Sequence, residues 1–184
     1  MREKLRQKLD GFSLIEISIV LLIIGIIAGA TLKGVDVLDG AKIKSVASDI
    51  HTLQMKFAEY NTTFGALPGD DKDASTRFGG ALKNGNGDGK ISEEEAKQVL
   101  IDLNAAGLID SPSFKAPKIG GTYEVISEAD KAKVTLSTKL SRKQVLGLKA
   151  KLTELLGEKN AIVETDPQDF SDDKQKYTVK VPLN

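Results

Sequence analysis

The sequence predicts an α+β fold: a long N-terminal α-helix, with a transmembrane half and an amphipathic half, packed on a small antiparallel β-sheet head with accessory helices. Three observations carry the prediction. A single apolar run, Leu14 to Leu32, opens close to the N-terminus. A stripe at helical spacing follows it, with no proline before Pro68. The remainder alternates capped helical segments with short β-branched runs bounded by turn residues.

Bulk numbers agree with this and narrow the chemistry. At 184 residues the chain suits one globular domain plus an appendage. Its 26 basic and 26 acidic residues cancel, so no bulk field attracts nucleic acid and no direct nucleic-acid partner is expected. There is no cysteine, which excludes disulfides, thiolate metal sites and cysteine nucleophiles. The single histidine, His51, weakens triad and two-histidine metal patterns and reads as a helix-surface residue. With neither a nucleophile elbow nor a phosphate loop, the chain reads as a non-enzyme.

The run Leu14 to Leu32 is interrupted by one charge, Glu16. At about 1.5 Å per residue it just crosses the roughly 30 Å hydrocarbon core of a bilayer. Ahead of it Arg2, Lys4, Arg6 and Lys8 outnumber Glu3 and Asp10, a bias that holds the leader in the cytoplasm and sends the rest outward. A secretory signal has a shorter apolar core followed by a small-residue cleavage site, whereas the candidate here, Ala28 to Ala30, lies inside the run. A plain anchor helix leaves Glu16 unexplained, because a carboxylate near the end of a spanning helix costs something like 2–3 kcal/mol without a partner.

Gly11-Phe12-Ser13-Leu14-Ile15-Glu16, followed by such a run, resembles the processing site of type IV prepilins. The resemblance implies that a prepilin peptidase cuts between Gly11 and Phe12 and then N-methylates Phe12. The α-amine so released, with a reference pKa of about 8, is mostly cationic at neutral pH. Glu16 can neutralise the Phe12 amine of an adjacent subunit, so that two charges unwelcome in lipid satisfy each other only in register. The implied organisation is a cleaved cytoplasmic leader over 1–11, a transmembrane or filament-core helix over 12–33, and a soluble pilin-like head over 34–184 that includes the second half of the long helix. Many pilins carry a proline towards the end of the run. Here Ala30 to Gly34 has none, and Gly25, Gly29 and Gly34 loosen the helix instead, each by about 1 kcal/mol against alanine.

Beyond Lys33 the helical period continues. Ile43, Val46, Ile50, Leu53, Phe57, Tyr60 and Phe64 alternate spacings of three and four, which puts one apolar stripe on a helix predicted from about Phe12 to about Thr63. That stripe is expected to lie on the head.

The helix exits through Phe64 to Asp71, rich in Gly and Pro. Next comes Asn84-Gly85-Asn86-Gly87-Asp88-Gly89-Lys90-Ile91-Ser92-Glu93-Glu94-Glu95. Laid on an EF-hand loop, Asn84, Asn86, Asp88, the Lys90 carbonyl, Ser92 and Glu95 fall on the calcium-ligand positions, and Gly89 on the sixth. Asn84 stands where an Asp is usual, which lowers ligand charge. Asp70, Asp71 and Asp73 are further candidates to close the site. The other reading is a turn followed by a capping box, Ser92-x-x-Glu95, opening a helix from Glu93 to Asn104. Calcium, if held, is structural; related secretion pseudopilins use it where many pilins use disulfides.

In the C-terminal half, Tyr123 to Ile126 and Lys133 to Leu136 read as strands joined by a short polar link, Glu128 to Lys131. Ser141 caps a helix through Leu156, with Val145, Leu148, Leu152 and Leu155 as its buried face and Gly157 as its stop. A polar stretch, Glu164 to Asp173, leads to a last strand, Lys176 to Pro182, whose Lys and Pro residues suit a sheet edge.

The function that the resemblance implies is a structural subunit of a type IV pilus-like filament, with a type II secretion pseudopilin as the alternative. A membrane-tethered calcium-binding module that does not polymerise is a more remote one. The implied partners are further copies of the chain, other pilin-like subunits, the prepilin peptidase and an inner-membrane assembly platform. The implied location is the bacterial inner membrane for the precursor, leader in the cytoplasm and head in the periplasm, and then an extracellular or periplasmic filament.

Overall fold

The computed structural model describes residues 12–79, 82–116, 119–158, 161–166 and 175–183, and within these the side chains of 30–38 are left aside. The expected leader, 1–11, with Gly11, lies outside the described residues. Two compact units divide the chain, Met1–Asp39 and Gly40–Asn184. Helix α1, Leu14–Phe64, runs through both.

Over Leu14 to Ile27 the side chains of α1 are apolar apart from Glu16 and Ser18, and they are exposed, Leu14 at 89% and Leu22 at 64%. Nothing in the described chain covers them. Among the described residues no helix is long and apolar enough to cross a membrane. The expected span, 12–33, extends past Gly29 into residues whose side chains are not described.

The second unit is an α+β head built on the predicted stripe. Ile43, Val46, Ile50, Leu53, Phe57 and Tyr60 are buried, and Phe64 packs against the same core. After α1 come α2 (Ala74–Phe78), α3 (Glu93–Ala105), β1 (Tyr123–Glu128), β2 (Lys131–Leu136), β3 (Leu140–Ser141), α4 (Arg142–Leu156), β4 (Glu164–Asp166) and β5 (Lys176–Pro182). The strands form one antiparallel sheet in the order β1-β2-β5-β3, with β4 also paired to β5. Val125, Val134, Tyr177, Val179 and Val181 point from it into the core shared with the stripe. Two hydrogen bonds tie α1 to the sheet: Tyr123 donates its hydroxyl to Asp49 Oδ2 at 2.9 Å, and Gln54 donates Nε2 to the Pro182 carbonyl at 2.8 Å.

Local chemistry explains the boundaries. Ser92 and Ser141 each form a full capping box, with Glu95 and Gln144 respectively, so α3 and α4 start where their orphan N–H groups find acceptors. The β1–β2 link is a two-residue turn, Ala129-Asp130, with both φ angles positive, at 53° and 60°, the geometry of a tight hairpin.

Several expectations are corrected. Strand β5 is interior, not an edge: Lys180 faces Thr135 of β2 and Glu164 of β4. Its Lys180 is tolerated because it is paired, as is Lys133 of the neighbouring β2. Lys180 Nζ meets Glu128 at 2.9 Å, and Lys133 Nζ meets Glu128 at 2.9 Å and Glu164 at 2.6 Å. Leu155 is exposed at 47%, and Leu156 turns inward in its place. His51 is half-buried rather than on the surface.

Candidate functional site

Two segments hold the residues that the sequence singled out, one in each unit. At the start of α1, Phe12 is 83% exposed. Ser13 Oγ accepts from Ile15 N–H at 3.3 Å, and Ser13 N–H donates to Glu16 Oε2 at 2.8 Å. Glu16 thus closes the first turn by capping the backbone one residue beyond the expected new N-terminus, in the Ser-x-x-Glu pattern that also opens α3. The sequence reading gave Glu16 only an intermolecular task; the same spacing already signalled this local one. Gly11 lies outside the described residues.

The second segment is the loop 84–95. Both oxygens of Glu95 are engaged: Oε2 accepts from Ser92 N–H at 2.8 Å and Oε1 from Asn86 N–H at 3.0 Å. Burial pushes the Glu95 carboxyl up, but these donors outweigh it and hold its pKa below the ordinary value. Asn84 Oδ1 accepts from Ser75 N–H at 2.8 Å, Asn86 Oδ1 from Asp88 N–H at 2.8 Å, and Asp88 Oδ1 from Lys90 N–H at 2.9 Å. Ser92 Oγ accepts from Glu95 N–H. Each of these side-chain oxygens accepts from an N–H group, and among the described residues no group of three or more His, Cys, Asp or Glu is placed to hold a metal ion.

What organises the loop is Asp70, which is buried. Its Oδ1 accepts from Gly87 N–H at 2.6 Å and Asp88 N–H at 3.2 Å, and its Oδ2 from Gly89 N–H at 2.8 Å. The glycines let successive amides converge on one carboxylate. A Cβ on Gly85 would fall well inside contact with the Asp70 backbone, so that approach requires glycine.

Asp71, also buried, accepts from the Tyr60 hydroxyl at 2.9 Å and Asp73 N–H at 2.9 Å, and Arg77 Nε lies 3.3 Å away. Burial pushes its carboxyl up, but these donors prevail and hold it below its usual value. Arg77 also lies over the Phe64 ring, 5.0 Å from its centre. Asp102, fully enclosed, accepts from Gly69 N–H at 2.7 Å and Gln98 Nε2 at 3.3 Å, and burial raises it to about 6. Asp71 and Asp102 pin the exit around Gly69 to α1 and α3, and Asp70 pins it to the 87–89 loop. The sequence flagged Asp70 and Asp71 as ion ligands; both serve as anchors for backbone and side-chain donors.

The comparisons with known proteins fall on the N-terminus. Residues 7–32 match the prokaryotic N-terminal methylation motif, so the chain carries that prepilin-type signal. No curated protein matches the chain. Among solved structures, the major type IV pilin PilA1 from Clostridium difficile is similar to it at 20% identity and a TM-score of 0.45, over 79% of this chain and 96% of that one.

Proposed function

We propose that this chain is a structural subunit of a type IV pilus-like filament, made as a membrane-anchored precursor, processed between Gly11 and Phe12 and assembled through its apolar N-terminal helix. The observation that carries the reading is the methylation motif over 7–32, a range that includes Phe12 and Glu16. The exposed apolar surface from Leu14 to Ile27 supports it, since burying such surface against lipid or other copies is worth about 25 cal/mol per Å². Glu16 sits one helical turn from the future N-terminus, where its charge can meet the Phe12 ammonium of a neighbour.

N-terminal sequencing of the mature protein tests the processing step. A start at methylated Phe12 supports the reading, and a start near Thr31 removes it. Removing the Glu16 charge tests assembly: Glu16→Gln and Glu16→Ala precursors should insert and be cleaved but not polymerise.

Calcium is a separate proposal, carried by the spacing of Asn84, Asn86, Asp88, Lys90, Ser92 and Glu95 alone. An ion there has to draw Glu95 away from Ser92 and Asn86. Calorimetric titration of calcium into the full chain decides it. Heat that disappears in Glu95→Gln supports binding; no heat with the wild type ends it.

A further inference from the structure

Three consecutive steps in the loop, Asn84-Gly85, Asn86-Gly87 and Asp88-Gly89, are of the kind most prone to succinimide formation. Glycine presents its nitrogen to the preceding Cγ without a side chain in the way. At asparagine the glycine nitrogen loses its proton and bonds to Cγ. The bond from Cγ to the side-chain nitrogen breaks and ammonia leaves. Water then opens the ring to aspartate or isoaspartate. At Asp88 the leaving group is water, and water reopens the ring. Each route requires the glycine N–H to be free to turn and deprotonate.

In the folded loop none of the three is free. Gly85 N–H donates to the Asp71 carbonyl at 3.0 Å. Gly87 N–H and Gly89 N–H donate to the two oxygens of Asp70, at 2.6 and 2.8 Å. A carboxylate beside an amide opposes its deprotonation, and a charge-assisted hydrogen bond must break before the nitrogen can swing towards Cγ. The electrophile is held as well: the Asn86 side chain is bonded at both ends, Oδ1 by Asp88 N–H and Nδ2 on Asp88 Oδ2 at 3.1 Å.

We propose that Asp70 guards this loop against spontaneous covalent ageing, and that Asn86 and Asp88 are the positions modified when Asp70 is disengaged. This inference stands whether or not the chain forms a filament.

The test is incubation of the full chain in warm, mildly alkaline buffer, with deamidation and isoaspartate followed at each position by peptide mass mapping. In the native wild type, Asn86 should deamidate at least about tenfold more slowly than in the same protein unfolded in urea, the population penalty of one such bond. Asp70→Ala, which removes both acceptor oxygens, should accelerate Asn86 and Asp88 by about tenfold or more while leaving Asn84 unchanged, because Gly85 bonds to a backbone carbonyl. Glu95→Gln loosens the same loop at Asn86 N–H, which is not an attacking nitrogen, and should leave all three positions at wild-type rates. Equal native and unfolded rates in the wild type overturn the proposal, a comparison that needs no variant to fold. So does an acceleration in Glu95→Gln matching that in Asp70→Ala, or a folded Asp70→Ala protein that ages like the wild type.

Discussion

At the scale of single residues, the head depends on a few positions where backbone approaches backbone or a charge is enclosed. At Gly85 an added methyl would press on Asp70 Cα and the Gly69 carbonyl, which are main-chain atoms and cannot swing aside. Gly85→Ala should cost about 3 kcal/mol or more, read from the urea midpoint. Ala129 is the opposite case. It sits at φ 53° with nothing to require alanine, so Ala129→Gly should gain about 0.5–1 kcal/mol by removing the left-handed strain. Asp102 sets the pH response. Its folded pKa of about 6 lies above the ordinary 3.8, mainly because of burial, with the Asp71 charge adding to it. The stability it contributes is therefore full below about 3.8 and is lost as pH rises through about 6. Glu128 acts in the other direction. Lys180 first and Lys133 second hold it at about 2, so its contribution is present above the ordinary 4.5 and fades as pH falls from there. From these two groups, maximum stability is expected near pH 4. Asp102→Asn should remove most of the decline between about pH 4 and 7, on the order of 2–3 kcal/mol, measured by urea unfolding across that range.

At the scale of elements, legibility in the sequence followed how local the determining interactions are. The α1 stripe was readable because its spacing reports one buried face, and α3 and α4 because Ser92 and Ser141 start them with self-contained capping boxes. The β1–β2 hairpin was readable except for its tight turn. The place of β5 was not: its lysines suit an edge in isolation, and Lys180 is acceptable inside because Glu128, distant in sequence, pairs with it. Strands β3 and β4 escaped for the same reason, each being a few residues defined by its partner on β5. In the loop, the EF-hand spacing was visible, but the sequence could not show that Asp70 would gather the amides of Gly87, Asp88 and Gly89. One contact between elements makes its own prediction. A Cβ on Gly147 of α4 would lie 3.5 Å from Ile43 Cγ2 of α1, an ordinary packing distance. Gly147→Ala should therefore fit, and by raising helix propensity stabilise the head by about 0.5–1 kcal/mol in thermal unfolding.

At the scale of the whole molecule, the proposed assembly turns on what Glu16 does once Phe12 becomes an N-terminus. The structure gives it a second occupation, capping Ser13 N–H at 2.8 Å, so loss of assembly in Glu16→Ala alone does not separate charge from cap. Glutamine does separate them. Its side-chain carbonyl can still accept from Ser13 N–H, as Gln144 does for Ser141 at 2.9 Å at the start of α4, but it cannot neutralise an ammonium. If charge pairing drives packing, Glu16→Gln should fail to polymerise as completely as Glu16→Ala. If the cap is what matters, the Gln form should assemble and the Ala form should not. Charge pairing also fixes a pH dependence. The methylated Phe12 amine has a reference value of about 8, and deprotonating it removes the ion pair, so polymer stability should hold at neutral pH and fall as pH rises above about 8. Sedimentation of purified filaments across that range measures it. Filaments that stay intact well above it, together with normal assembly of Glu16→Gln, would show that the apolar surface from Leu14 to Ile27 drives packing without the ion pair.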